Sequence, residues 1–229
     1  MNRPQNMTND PTVLYDENYY ETGLIKGISG YVNYSWMPEL TLKMAHHLIC
    51  ELKIGPTDTL LDFGCAKGFL VKAMRILGVD AYGVDVSNYA ISQCPTDVVK
   101  FCQQISCDDK DAGFTRHYNW MLSKDVFEHI EEDQLRKIMT AAHKFVNHMF
   151  LVIPLGKDDT SGQFVIAEYD KDITHVTAKT AQWWQKLFEE TGWTLEFMTH
   201  SFKGIKENWT QAHPLGNIFV KLNSDSSVK

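Results

Sequence analysis

The chain has 229 residues, 44% of them hydrophobic, and a formal net charge of −7. That length and apolar content suit one sizeable α/β domain, and the acidic balance argues against a protein that grips nucleic acid by its phosphates. No apolar run approaches the ~20 residues of a membrane span, and the polar start Met1-Asn2-Arg3-Pro4 is unlike a secretory signal. The five cysteines (Cys50, Cys65, Cys94, Cys102, Cys107) are odd in number and form no C-x-x-C pair, so small buried thiols in a reduced, cytoplasmic setting are expected.

Residues 1–13 are polar with two prolines and read as loose. Tyr15, Tyr19, Tyr20, Tyr31, Tyr34 and Trp36, with Gly23, Gly27 and Gly30 among them, fit neither the strand nor the helix period. Residues 1–36 are therefore expected to form a partly ordered arm, closing as a lid over a body of residues 37–222. Leu40–Leu52 has the period of an amphipathic helix and stops at Gly55-Pro56. Strands are then expected at Thr59–Phe63, Ala81–Val84, Val98–Ile105, Trp120–Ser123 and Met149–Ile153. Helices alternate with them at Phe69–Leu77, Asn88–Gln93, Asp133–Val146 and Thr180–Thr191, the pattern of a parallel sheet covered on both faces. In the last helix, adjacent Trp183 and Trp184 place at least one ring in the core. Leu155–Val176 is long for a connection, which marks it as functional. Two late strands, Thr194–Thr199 and Asn217–Leu222, flank a polar link, and residues 223–229 read as a flexible tail.

The most informative stretch is Leu60-Leu61-Asp62-Phe63-Gly64-Cys65-Ala66-Lys67-Gly68-Phe69-Leu70. An apolar strand ends in a carboxylate, and a turn with glycines at both ends opens a helix, so a ligand can approach the backbone closely. About twenty residues on, Ala81-Tyr82-Gly83-Val84 ends at Asp85, where a nucleotide fold places a ribose-binding acid. A dinucleotide would set its pyrophosphate over the turn, and Asp62 would repel it. S-adenosylmethionine carries an ammonium and a sulfonium instead, which Asp62 attracts.

With Ser123-Lys124-Asp125-Val126-Phe127-Glu128-His129-Ile130 added, the chain resembles the class I S-adenosylmethionine-dependent methyltransferases from about Leu60 to Leu222. The resemblance implies a Rossmann-like three-layer α/β sandwich. Its seven-stranded sheet has the order 3-2-1-4-5-7-6, with strand 7 antiparallel and helices on both faces. It also implies a set of cofactor-binding positions: Gly64, Cys65, Lys67 and Gly68 along the turn, Asp62 near the methionine part, and Asp85 on the ribose hydroxyls. Val86 falls against adenine, Asp108 near its amine, and Lys124 where a backbone carbonyl meets the cofactor ammonium. Asp109 and Asp111 compete with Asp108 for that place.

Transfer to a hydroxyl calls for a general base, whereas an amine needs only to arrive deprotonated. His175, in Asp172-Ile173-Thr174-His175-Val176-Thr177, resembles a segment of sugar- and natural-product-type methyltransferases placed above the methyl group; His129 is the second catalytic candidate. The spacing of Asp125, Glu128 and His129 resembles a metal-assisted subset of quinone methyltransferases, with Asp in place of a usual Glu, but such spacing is common in metal-free relatives, and no metal is assigned. The N/D-P-P-Y/F motif of amino-methyltransferases is absent. The expected activity is methyl transfer to a small molecule, a hydroxyl of a sugar or related metabolite. An N-methyltransferase on an amine or protein side chain is the alternative, as is a non-catalytic cofactor-binding module. Neither a nucleic acid nor a membrane is expected as partner, and monomer and homodimer both stay open.

Overall fold

A computed structural model describes residues 14–106 and 113–224. The seven strands are β1 (Thr59–Phe63), β2 (Asp80–Asp85), β3 (Cys102–Gln104), β4 (Tyr118–Lys124), β5 (Val146–Pro154), β6 (Trp193–Thr199) and β7 (Asn217–Ser224). They form one sheet in the order β3-β2-β1-β4-β5-β7-β6, parallel from β3 to β5, with β7 antiparallel to both β5 and β6. The expected fold is what the chain adopts.

Alternation along the strands builds the two cores. Leu60, Trp120, Leu122, Phe150 and Val152 pack on one face against α3 (Pro38–Leu52) and α4 (Phe69–Ile76). Leu61, Met121, Met149, Leu151 and Ile153 pack on the other against α6 (Glu132–Ala142) and α7 (Ala181–Glu190). Central strands buried on both faces read as continuous apolar runs, as these do. Trp184 is fully buried in the second core, as its position beside Trp183 required.

The aromatic arm is more ordered than its irregular spacing suggested. It forms two short helices, α1 (Glu17–Glu21) and α2 (Gly23–Lys26), held by side chains rather than by helical period. Asp16 caps α1 by accepting from the Tyr19 amide at 3.0 Å, and the Ser29 hydroxyl donates to the Tyr19 carbonyl at 2.6 Å. Tyr19 and Tyr20 are buried in a cluster with Tyr15, Tyr31, Tyr34 and Tyr89. Residues 1–13, expected to be loose, lie outside the described residues.

Other elements differ from expectation; the helix expected to reach Val146 stops at Ala142, and Val146 already opens β5. Only Cys102–Gln104 of Val98–Ile105 is strand, because Val99–Phe101 winds into a 3-10 turn before the ladder with β2 begins at Gly83↔Cys102. The tail begins later than residue 223, since Asn223 and Ser224 complete β7 by pairing with β6. Within the polar link, Glu207–Ala212 forms α8, which buries only Thr210 and so leaves no apolar period to read. The remaining short helix is α5 (Asn88–Ser92), capped by Ser87, whose hydroxyl oxygen accepts from the Ala90 amide at 2.9 Å. Among the described residues no helix is long and apolar enough to cross a membrane.

Candidate active site

The chain leaves β1 toward β2 on one side of the sheet and returns to β4 on the other. A crevice therefore opens at the carboxyl ends of β1, β2 and β4, where open α/β sheets bind ligands. A cavity of about 500 Å³ occupies it. Asp62 lies one residue before the end of β1 and lines this space, as do Asp85 at the end of β2 and Lys124 at the end of β4.

The turn after β1 is stitched to β2. The amides of Gly64 and Cys65 both donate to the Val84 carbonyl, at 2.9 and 3.0 Å, and the Ala66 amide donates to Asp85 Oδ2 at 2.8 Å. Gly64 and Gly68 both lie in the left-handed region, with φ of 81° and 69°, and Ala66 joins them at 48°. A Cβ on Gly64 would stand 2.4 Å from Val126 Cγ2, so both backbone and space demand glycine. Gly64→Val is accordingly expected to abolish cofactor binding while destabilising the fold by about 1–3 kcal/mol. Normal binding by such a variant would place the ligand elsewhere.

Asp62 is 5% exposed and its carboxylate makes no hydrogen bond among the described residues. Burial, with Asp85 beside it, pushes its carboxyl up to about 7, against the opposing pull of Lys124. An acid raised from 3.8 to about 7 binds its proton in the folded state first. Stability is therefore lost as pH rises between those values, by roughly 4 kcal/mol at most. Asp62→Asn should raise the melting temperature of the cofactor-free protein at pH 8 by several degrees and weaken binding of a cationic ligand tenfold or more. In the parent, a cation held by Asp62 would need the ionised acid, so affinity for a cationic ligand should fall about tenfold from pH 8 to pH 6. A flat pH profile by calorimetry would remove Asp62 from the site.

Asp85 is also pushed up by burial, but less, because the amides of Ser87 and Ala66 donate to it. Each oxygen accepts one amide at 2.8 Å, leaving further lone pairs toward the cavity. Val86, Cys65, Ile105 and Ser106 line the same region. Asp108 lies outside the described residues.

Lys67 and Gly68 do not line the cavity. Lys67 Nζ binds the Glu21 carboxylate and the Tyr34 carbonyl, the latter at 2.7 Å, and so ties the turn to the arm. Gly68 opens α4 where a Cβ would meet the sulfurs of Cys102 and Cys94 at 2.8 and 3.2 Å, which makes it a packing glycine. Nothing in the local spacing separated a side chain beside the ligand from one turned to the arm.

On the far side of the cavity the arm supplies Tyr15, Tyr19, Tyr20, Tyr31 and Tyr34. Burial pushes their hydroxyls above the ordinary range, so they remain donors. The Tyr19 hydroxyl donates to Asp172 at 2.9 Å and Ser87 Oγ donates to the Tyr15 carbonyl at 2.5 Å, pinning the arm to both walls. The long connection after β5 contributes Thr174 and Val176.

The two candidate histidines lie with ring centroids 4.5 Å apart, but only His129 borders the large cavity. His175 lines a smaller one of about 120 Å³ that shares His129, Tyr19, Tyr31 and Asp125 with it. Burial lowers both imidazoles, that of His129 to about 4, so both are neutral at pH 7. Glu128 lies beneath them, 1% exposed, with its carboxyl pushed up by burial and by Asp125. Sequence reasoning missed the setting of Asp125. Burial pushes its carboxyl up, yet Lys124 and Lys206 together outweigh that and hold it well below the usual carboxylate range. It sits at φ 56°, paired to Lys124 at 2.6 Å and to Lys206 from the polar link.

A seven-stranded sheet of this order, a glycine turn after a β1 with an acid near its end and a second acid ending β2 define a class I S-adenosylmethionine-dependent methyltransferase. Residues 36–196 match the methyltransferase domain family, and the chain belongs to it. No curated protein matches the chain. Similar solved structures include an S-adenosylmethionine-dependent methyltransferase from Clostridium acetobutylicum, at 12% identity and TM-score 0.58, covering 83% of this chain and 93% of that one. The mitomycin 7-O-methyltransferase is 12% identical at TM-score 0.58, covering 89% and 66% respectively. A glycopeptide N-methyltransferase, complexed with S-adenosylmethionine, is 11% identical at TM-score 0.55, covering 80% and 87%.

Proposed function

We propose that the enzyme methylates a hydroxyl group of a small molecule, a sugar or related metabolite, held between the cofactor and the tyrosine arm. The cofactor is S-adenosylmethionine, which supplies a methyl group on a sulfonium that keeps the electron pair of the broken S–C bond. In this reading Asp62 meets the ammonium group, its lone carboxylate being the complement of a cation. Asp85 accepts from the ribose hydroxyls with the lone pairs its two amides leave, and Val86 offers apolar surface to the base. Gly64 lets the backbone approach, and the carbonyl end of β4 at Lys124 completes the polar rim. Residues 14–36 act as the lid, with Lys67 as its anchor rather than a cofactor ligand.

The observation that carries the hydroxyl reading is the wall around His129. A hydroxyl must lose a proton as its oxygen takes the methyl group, whereas a neutral amine reacts through its own lone pair. Neutral His129, with His175 and an unpaired Glu128 carboxylate behind it, presents lone pairs on the acceptor side of the cavity. His129 takes the catalytic place that the sequence divided between two histidines, and His175 stands behind it. Incubation with labelled S-adenosylmethionine and metabolite extracts, followed by mass spectrometry, tests this. Methyl found on oxygen supports the reading, and methyl found only on nitrogen overturns it.

A further inference from the structure

Behind His129 the two hydrogen-bond patterns fix which ring nitrogens carry protons. The Tyr169 carbonyl can only accept, so His175 Nδ1, 2.7 Å away, is the N–H. The Thr174 hydroxyl donates to Asp172 Oδ1 at 2.6 Å, so it accepts from His129 Nδ1 at 2.8 Å. Both neutral rings thus keep their lone pair on Nε2. His175 Nε2 stands 4.0 Å from Glu128 Oε1, and neither oxygen of that carboxylate, 1% exposed, has a hydrogen-bond partner among the described residues. One atom each from Glu128, His129 and His175 lie within 4.8 Å of one another. Two imidazole lone pairs beside a buried carboxyl with no hydrogen-bond partner among the described residues make a donor set that a cation can hold together. Asp125 is not available to join them, because Lys124 and Lys206 hold it.

We infer that Glu128, His129 and His175 bind a divalent first-row metal ion of the Zn²⁺ type. Two imidazoles and one carboxylate suit such an ion, whereas Mg²⁺ and Ca²⁺ prefer all-oxygen sets. Both rings have the outer support that ligating histidines need: a backbone carbonyl behind His175, and Thr174 backed by Asp172 behind His129. Binding would draw the donor atoms in from their present spacing to the ~3.3 Å that bonds of ~2.0–2.1 Å require at tetrahedral angles. His129 borders both cavities, so the ion has an open position toward the acceptor. This rests on the hydroxyl reading above and deepens it. With the ion on its Nε2, His129 acts through the metal instead of taking the proton itself. The acceptor oxygen becomes a further ligand and more acidic, and its proton passes to the Glu128 oxygen not on the ion.

The test needs no acceptor and no turnover, so it stands or falls apart from the identity of the substrate. The full chain, stripped with a chelator, is titrated with Zn²⁺ by calorimetry and with Co²⁺ by visible absorption. His46→Ala with Cys50→Ser is made first, because those residues form an exposed i, i+4 pair on α3 able to take up metal adventitiously. One Zn²⁺ per chain, d–d bands with Co²⁺ and a higher melting temperature with metal are expected. His175→Ala should weaken binding at least tenfold while S-adenosylhomocysteine still binds, which shows that the variant folds. Glu128→Gln, nearly unchanged in volume, serves if the alanine variant does not fold. No binding, or binding indifferent to both substitutions, would overturn the site and leave Glu128 as a buried neutral acid.

Discussion

Asp85→Ala is expected to lower the affinity for S-adenosylhomocysteine a hundredfold or more. The carboxylate ends β2 at the cavity, with one lone pair of each oxygen engaged by the amides of Ala66 and Ser87. In the proposed pose two ribose hydroxyls donate to it, bonds that contribute ~1.5–3 kcal/mol each to a charged acceptor, and the substitution would remove both. It also releases the Ala66 amide, whose residue sits at φ 48° in a turn the carboxylate helps to hold. Ligand contact and turn order are therefore lost together, while the core, which does not include Asp85, keeps the protein folded. Affinity within threefold of the parent by calorimetry would contradict the ribose assignment.

His129→Ala is expected to cut turnover by ~10²–10⁴-fold with little change in affinity for S-adenosylhomocysteine. The ring borders the cavity with its Nδ1 on Thr174 and, among the described residues, makes no hydrogen bond to the Asp85 end of β2, so its loss should remove chemistry before cofactor binding. It packs edge-on to Tyr15 at 5.8 Å, and a modest fall in melting temperature should accompany the kinetic effect. Near-normal turnover on the true acceptor would show that the histidine only supports the arm. That outcome would also favour an amine, which needs no proton acceptor in the enzyme.

The features legible in the sequence share one property: they are local and periodic. Leu60-Leu61 and Met121-Leu122 read as strands because both faces are buried, and the turn from Gly64 to Gly68 reads as a ligand turn because positive φ selects its residues. What was not legible depends on contacts far along the chain. Lys67 looked like part of the cofactor turn, but its charge is claimed by Glu21, 46 positions away. Lys206 sits in a link with no period and reaches Asp125 across 81 positions. His129 and His175 were found as separate candidates, and their order relative to the cavity depends on how the connection after β5 folds back. The arm escaped the helix period because its order comes from tyrosines packing on one another.

The most direct test of the account is the structure of the protein with S-adenosylhomocysteine bound. The ribose hydroxyls should lie within ~2.5–3.0 Å of the two Asp85 oxygens. The amino group should approach Asp62, directly or through one water, and the sulfur should point to the part of the cavity bounded by His129 and the tyrosine arm. A ligand seated elsewhere, or a sulfur turned away from His129, would contradict it.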